Sequence, residues 1–154
     1  MASQSLNRLF ISVALTGYAP RNCAVLRSGA KPGDAIYATG SFGGSILGRH
    51  YRFEPRIREG QWLREKRIPS AMIDVSDGLL SDLGHILKES KLGAKIDPEN
   101  IPVSQAARRL GRKDQKGAMD HALHDGEDYE LIFTSRVPEK NWAKEFNRIF
   151  NVCL

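Results

Sequence analysis

At 154 residues the chain is long enough for one ordinary domain with its own core. Its 41% hydrophobic and 27% charged residues exclude disordered and fibrous classes. No run approaches the roughly 20 apolar residues of a membrane span. The start MASQSLNRLF lacks the basic end and apolar run of a secretory signal, so a cytoplasmic protein is expected. The net charge of +5 is densest at Arg108, Arg109, Arg112, Lys113 and Lys116. That cluster has no interleaved aromatics and belongs to no recognisable nucleic-acid module, so it reads as solvated surface. Cys23 and Cys153 lie far apart and match no metal spacing.

In chain order, Leu9 to Leu15 alternates apolar with small or polar residues, predicting a half-buried strand. Gly17, Pro20 and Asn22 mark a loop, and a helical turn is expected over Cys23 to Arg27. Gly29, Pro32 and Gly33 turn the chain into a strand over Asp34 to Thr39, followed by a glycine-crowded connection that opens a short helix. Pro55 begins a helix that runs to about Arg67. Ala71 to Val75 is a strand. It leads straight into a helix whose stripe of Leu79, Leu80, Leu83, Ile86 and Leu87 ends at Gly93. A short strand at Lys95 and Ile96, a helix over Ser104 to Leu110, a strand over Tyr129 to Phe133 and a helix over Pro138 to Phe150 complete the list. This order predicts a layered α+β domain, a mixed sheet covered by helices. The chain opens almost directly in a strand and ends on the apolar Val152-Cys153-Leu154, which reads as a single domain, residues 1–154, excised from a longer protein.

Three segments carry polar residues that chemistry can use. In Ala71-Met-Ile-Asp74-Val-Ser76-Asp77-Gly-Leu-Leu80 an apolar strand runs into an amphipathic helix through two carboxylates and a hydroxyl. Ser76 or Asp77 can cap the helix, but capping does not account for Asp74. No G-x-x-x-x-G-K-[ST] loop is present, and bare carboxylates repel a polyphosphate unless a divalent cation such as magnesium bridges them. Ser76 can offer its hydroxyl or its N–H to a phosphate. In Asp125-Gly-Glu127-Asp128-Tyr-Glu130 three further acids, Asp125, Glu127 and Asp128, precede a strand, as a turn or as a receptor for a cationic group. Arg27-Ser-Gly-Ala-Lys-Pro-Gly-Asp34 is a tight turn whose arginine is suited to phosphate oxygens. Gly40-Ser-Phe-Gly-Gly-Ser45 reads as a structural turn rather than a phosphate loop, and His121 with His124 lacks the further ligands of a metal site.

Taken together and in this order, the three segments resemble the carboxy-terminal domain of thiamine-monophosphate kinases, a family of the wider aminoimidazole ribonucleotide synthetase superfamily. Gly40 with its following glycines and Pro55-Arg56 fall where that family has similar residues, and the likeness runs from about Leu9 to the end. The resemblance implies transfer of the γ-phosphoryl group of ATP to thiamine monophosphate, with Mg2+. It makes Asp74 and Asp77 magnesium ligands, Ser76 and Arg27 contacts to ATP, and Glu127 a contact to thiamine monophosphate. The acceptor is already an anionic phosphate, so no side chain is assigned as a strong general base.

Against the family pattern, the amino-terminal domain with most of the metal-binding acids is missing, as is the final segment with its substrate-facing aromatic residue. Asp125 stands where a first glycine is common. The family pairs into homodimers mainly through the missing half, and this piece is expected to fold without catalysing. Two alternatives stand beside this reading: another ATP-dependent synthetase of the superfamily, and a non-catalytic basic module binding nucleic acid through Arg108 to Lys116.

Overall fold

The computed structural model describes residues 11–21 and 23–151. Among them three strands form one antiparallel sheet: β1 (Ala35–Ala38), β2 (Ala71–Asp74) and β3 (Leu131–Ser135). The last strand lies in the middle, in the order β1-β3-β2, with Tyr37 and Met72 each opposite Phe133 and Asp74 opposite Leu131. The helices are α1 (Arg49–Arg52), α2 (Ile57–Glu65), α3 (Leu79–Ser90), α4 (Gln105–Leu110), α5 (Ala118–His124) and α6 (Ala143–Phe150).

Strand side chains alternate between the two faces of a sheet, and here the alternation builds two cores. Ala71 and Ile132, with Ile36, Ala38 and Ile73 at its edge, pack with Leu79, Leu83 and Ile86 of α3 and Ala122 of α5. The intervening Tyr37, Met72 and Phe133 face the other way, against Leu63 of α2 and Trp142, Ala143 and Phe146 around α6. Phe133, Tyr37 and Trp142 cluster mutually, with ring centroids 5.5 Å apart for Phe133 and Tyr37, 5.8 Å for Phe133 and Trp142, and 5.1 Å for Tyr37 and Trp142. The result is a helix-sheet-helix sandwich, the α+β layering expected. The sheet itself is antiparallel rather than mixed, and the only parallel pairing among the described residues is an isolated bridge between Phe42 and Val103.

Several local expectations change. Residues 11–15 form no strand, and Ile11, Val13 and Leu15 are exposed; Leu9 and Phe10 lie outside the described residues. Alternation specifies a strand only where another strand pairs with it, and among the described residues none pairs here. The same holds for Lys95 and Ile96. Cys23 to Leu26 is not helical; the Leu26 carbonyl instead accepts the Met72 N–H at 3.2 Å, beside β2. β3 starts two residues later than its apolar run because Glu127 and Tyr129 have φ of 62° and 53°, a left-handed backbone incompatible with a strand. The closing helix is split: a short turn at Glu139–Asn141 precedes Trp142, whose φ of −145° breaks the continuity before α6. No helix among the described residues is long and apolar enough to cross a membrane.

Candidate functional site

The strand-to-helix junction and the acidic loop are one structure. Val75 N–H donates to the Glu130 carbonyl, and Tyr129 N–H donates back to the Val75 carbonyl, each at 2.8 Å. Glu127 N–H donates to the Ser76 carbonyl at 2.8 Å. Gly126 lies so close that a Cβ there would stand 2.5 Å from the Ser76 carbonyl oxygen, and one on Gly78 would meet the His124 carbonyl at 3.0 Å. Asp74, Asp77 and Glu127 are exposed at this junction, with Ser76 half-buried between them.

Capping does not explain Ser76 or Asp77. The cap of α3 is Gly78, with φ of 112° and no side-chain hydrogen bond. Among the described residues neither the Asp74 nor the Asp77 carboxylate has a hydrogen-bond or ion-pair partner within the chain. Exposed, unneutralised carboxylate oxygens are what a hard cation such as Mg2+ takes. Both amides that Ser76 and Asp77 might have offered to a phosphate are engaged: each donates to Oδ2 of Asp82 at 2.9 Å. Ser76 is left with its hydroxyl. Asp82, only 2% exposed, was not singled out from the sequence. The available signal was its place on the inner stripe of α3, where an acid needs a reason. Side-chain ligand atoms of Asp77, Asp82 and His85 lie within 4.8 Å of one another.

The remaining acids of the loop serve the fold. Asp128 accepts the Gly43 N–H at 2.8 Å and Asp125 the Gly44 N–H at 3.0 Å, while Ser45 Oγ donates to the Gly126 carbonyl at 2.6 Å. The glycine-rich segment is thus a structural turn spent on the acidic loop. Gly43, with φ of 87°, brings its backbone against His121, where a Cβ would meet the backbone at 2.6 Å. Asp125 also binds Lys116 Nζ at 2.8 Å and His121 Nδ1 at 2.9 Å. Burial pushes the Asp125 carboxyl up, but Lys116, the Gly44 amide and His121 together hold it below its usual range. The other nitrogen of His121 faces Asp114 at 3.0 Å, and His124 pairs with Asp120 at 2.7 Å. Both histidines are therefore engaged with carboxylates. Lys116, the end of the basic cluster, is likewise spent on Asp125.

Glu130, 1% exposed, is held by three side chains. Arg56 grips it with Nε to Oε2 at 2.7 Å and Nη2 to Oε1 at 2.9 Å, Thr39 donates to Oε2 at 2.6 Å, and Arg49 pairs with Oε1. Gly40, with φ of 71°, leaves room where a Cβ would overlap this carboxylate. Arg27 stands apart. Its carbonyl accepts from Ser90 Oγ at the far end of α3, roughly 16 Å along the helix from Leu79. A cavity of about 500 Å³ opens beside Glu127, lined also by Ser45, Ile46, Leu110, Asp114 and His124.

Asp128 gives a pH prediction. Burial raises its carboxyl to about 6, with the Gly43 amide and Arg49 opposing and Asp125 and Glu130 reinforcing; Oδ1 has no partner. The folded state therefore binds a proton more readily than the unfolded chain between about pH 4 and 6. This group alone makes stability fall as pH rises through that window, by on the order of 2–3 kcal/mol. Asp128→Asn should flatten the difference between urea denaturation at pH 5 and pH 7.5. An unchanged difference in the variant would show that Asp128 is charged at little cost.

The chain matches no protein-family model. It is 46% identical over 154 aligned positions to a thiamine-monophosphate kinase of Salmonella typhimurium, covering 86% of this chain and 46% of that protein. With that of Rhodopirellula baltica it shares 43% over 125 residues, covering 81% and 39%. The thiamine-monophosphate kinase structure from Stenotrophomonas maltophilia superposes with a TM-score of 0.73 at 33% identity, covering 86% of this chain and 48% of that one. The structure of AaThiL complexed with AMPPCP and TMP superposes with a TM-score of 0.62 at 29% identity, covering 77% and 43%. The chain spans about half the length of the curated relatives it matches or somewhat less. Over most of its own length, this chain is a homologue of the thiamine-monophosphate kinases.

Proposed function

We propose that the chain is the carboxy-terminal part of a magnesium-dependent kinase that moves the γ-phosphoryl group of ATP to thiamine monophosphate. The observation that carries this reading is the clasp between Glu127 N–H and the Ser76 carbonyl, 2.8 Å long. It puts the acids suited to a cation-bridged nucleotide and the acid suited to a cationic part of the acceptor at one junction. AaThiL in complex with AMPPCP and TMP supplies the ligand pair for a homologue.

In this reading a terminal phosphate oxygen of thiamine monophosphate attacks the γ-phosphorus as its bond to the β–γ bridging oxygen breaks, releasing ADP. Bound Mg2+ would neutralise the phosphates, with Asp74 and Asp77 as its ligands here. Ser76 contributes its hydroxyl to ATP. Glu127 lines the cavity beside it and complements a cationic part of the acceptor. The buried charges behind them keep this junction in one shape, which matters because phosphoryl transfer depends mainly on alignment and charge neutralisation. Arg27 contacts ATP only if its side chain reaches back along β2 toward the junction. The fold is that of the carboxy-terminal domain of the aminoimidazole ribonucleotide synthetase superfamily. The other half, an amino-terminal domain rich in metal-binding acids, completes the site and the homodimer, in the cytoplasm.

The test is product formation. Joined to that amino-terminal half, the chain should convert thiamine monophosphate, ATP and Mg2+ to thiamine diphosphate and ADP, and the 154-residue chain alone should not. Asp77→Asn in the joined protein should lower kcat by about 100-fold or more. ATP turnover driven by another acceptor, with none from thiamine monophosphate, would transfer the chain to a synthetase of the same superfamily.

A further inference from the structure

The turn between β2 and α3 owes its shape to a residue inside the helix. Asp82 lies on the inner stripe of α3 with Leu79, Leu83 and Ile86, and only 2% of it reaches solvent. Its Oδ2 takes two hydrogen bonds, from Ser76 N–H and Asp77 N–H, both at 2.9 Å. No side chain caps α3 from outside, and Gly78, at φ of 112°, supplies no rigidity. A buried carboxylate is costly unless donors surround it. These two amides are its donors, and in accepting them it fixes the backbone that carries the Ser76 hydroxyl and the Asp77 carboxylate. We propose that Asp82 is a positioning residue: it holds Asp77 and Ser76 in the orientation that receives a divalent cation and the phosphate it bridges. This deepens the kinase reading and rests on it, since that reading makes Asp77 a cation ligand.

Two features separate this role from simple packing. The acid replaces what would be an aliphatic position on the core side of the helix, so packing alone favours leucine there. Its carboxylate also sits in the group with Asp77 and His85 whose ligand atoms lie within 4.8 Å of one another. A cation held by Asp77 would therefore feel the nearby Asp82 charge, which also fixes the Asp77 backbone.

The experiment uses the chain with Mn2+ as a paramagnetic probe for Mg2+, read from the broadening of amide NMR signals as Mn2+ is titrated. In the unmodified chain, broadening should centre on Ser76, Asp77 and their neighbours, and Asp77→Asn should remove it. Asp82→Ala, which strips both hydrogen bonds, should raise the Mn2+ dissociation constant by about 10- to 100-fold. Asp82→Asn should fall between, because its amide oxygen still accepts both N–H groups without the charge. The same spectra report whether each variant is folded. Should Asp82→Ala not fold, Asp82→Asn carries the test. A role confined to stability predicts lower melting temperatures with unchanged Mn2+ affinity in the folded variants. That result, with Asp77→Asn still losing Mn2+, overturns the role of Asp82 and leaves the kinase reading standing. Failure of the unmodified chain to bind Mn2+ near Asp77, or an Asp77→Asn variant that binds it normally, overturns the role of Asp82 together with Asp77 as a ligand, while the kinase reading is decided by product formation in the joined protein.

Discussion

Arg56→Ala should destabilise the chain by about 3–5 kcal/mol, the cost of breaking a buried ion pair by removing one partner. Glu130 is the reason. It is 1% exposed, immediately before the central strand β3, and Arg56 supplies both prongs of a fork to its two oxygens. With Arg56 removed, only Arg49 and Thr39 remain, and Arg49 is itself 31% exposed. Arg56→Lys should recover only part of the loss, because an ammonium cannot match both oxygens at once. The paired change Arg56→Met with Glu130→Leu should recover much of it, since no charge is then left buried. Urea denaturation followed by the fluorescence of Trp62 and Trp142 measures all four proteins. Domains of this kind are stable by roughly 5–15 kcal/mol in total, so the single change consumes a large share. A loss below about 1 kcal/mol in Arg56→Ala would mean that the fork is decorative and that Glu130 is satisfied by water or by Arg49.

Gly126→Ala is the second large effect, on activity rather than stability. Its φ is not in the left-handed region, so the methyl group is excluded by space and not by backbone preference. The space is occupied by the Ser76 carbonyl at 2.5 Å and the backbone of Asp77 at 3.4 Å, neither of which can rotate aside. Relief requires the two segments to part by something near an ångström. Overpacking of that kind costs about 1–3 kcal/mol. A misplacement of about 1 Å can cost about 100-fold in rate. In the complete kinase, Gly126→Ala should therefore lower kcat by about 100-fold while a clear unfolding transition persists. Normal turnover would show that the spacing of the two segments does not matter to the chemistry.

Much of this was legible in the sequence. β1, β2, α2 and α3 fall where turns and apolar periodicity put them, because each is bounded by residues whose constraints are local: Gly33 and Pro32, Pro55, or the stripe of α3. The junction at Asp74 to Asp77 was visible for the same reason, an apolar strand interrupted by acids that its neighbours do not explain. What was not legible is pairing across the chain. The alternation of Leu9 to Leu15 says which face could be buried but not whether a partner edge exists. Glu130 reads as one more acid in a turn until Arg49 and Arg56, far back in the sequence, fold onto it. Asp125 and Asp128 look like candidates for a ligand, and only the tertiary structure reveals that Gly43 and Gly44 already occupy them. Asp82 is masked by its company: the apolar stripe around it identifies the helix, and nothing local in the sequence shows that its carboxylate turns back onto the amides of Ser76 and Asp77.

The carboxylates that hold Gly43, Gly44, Ser76 and Asp77 by their amides have a consequence for how ligands meet this surface. These stretches lie outside the helices and strands, where backbone is ordinarily free to wander. Here four N–H groups are fastened to side-chain carboxylates, those of Asp82 and Asp128 buried and that of Asp125 partly so, before any ligand arrives. The conformational entropy of these loops is therefore surrendered when the polypeptide folds, and a ligand that meets them need not supply it from its own binding energy.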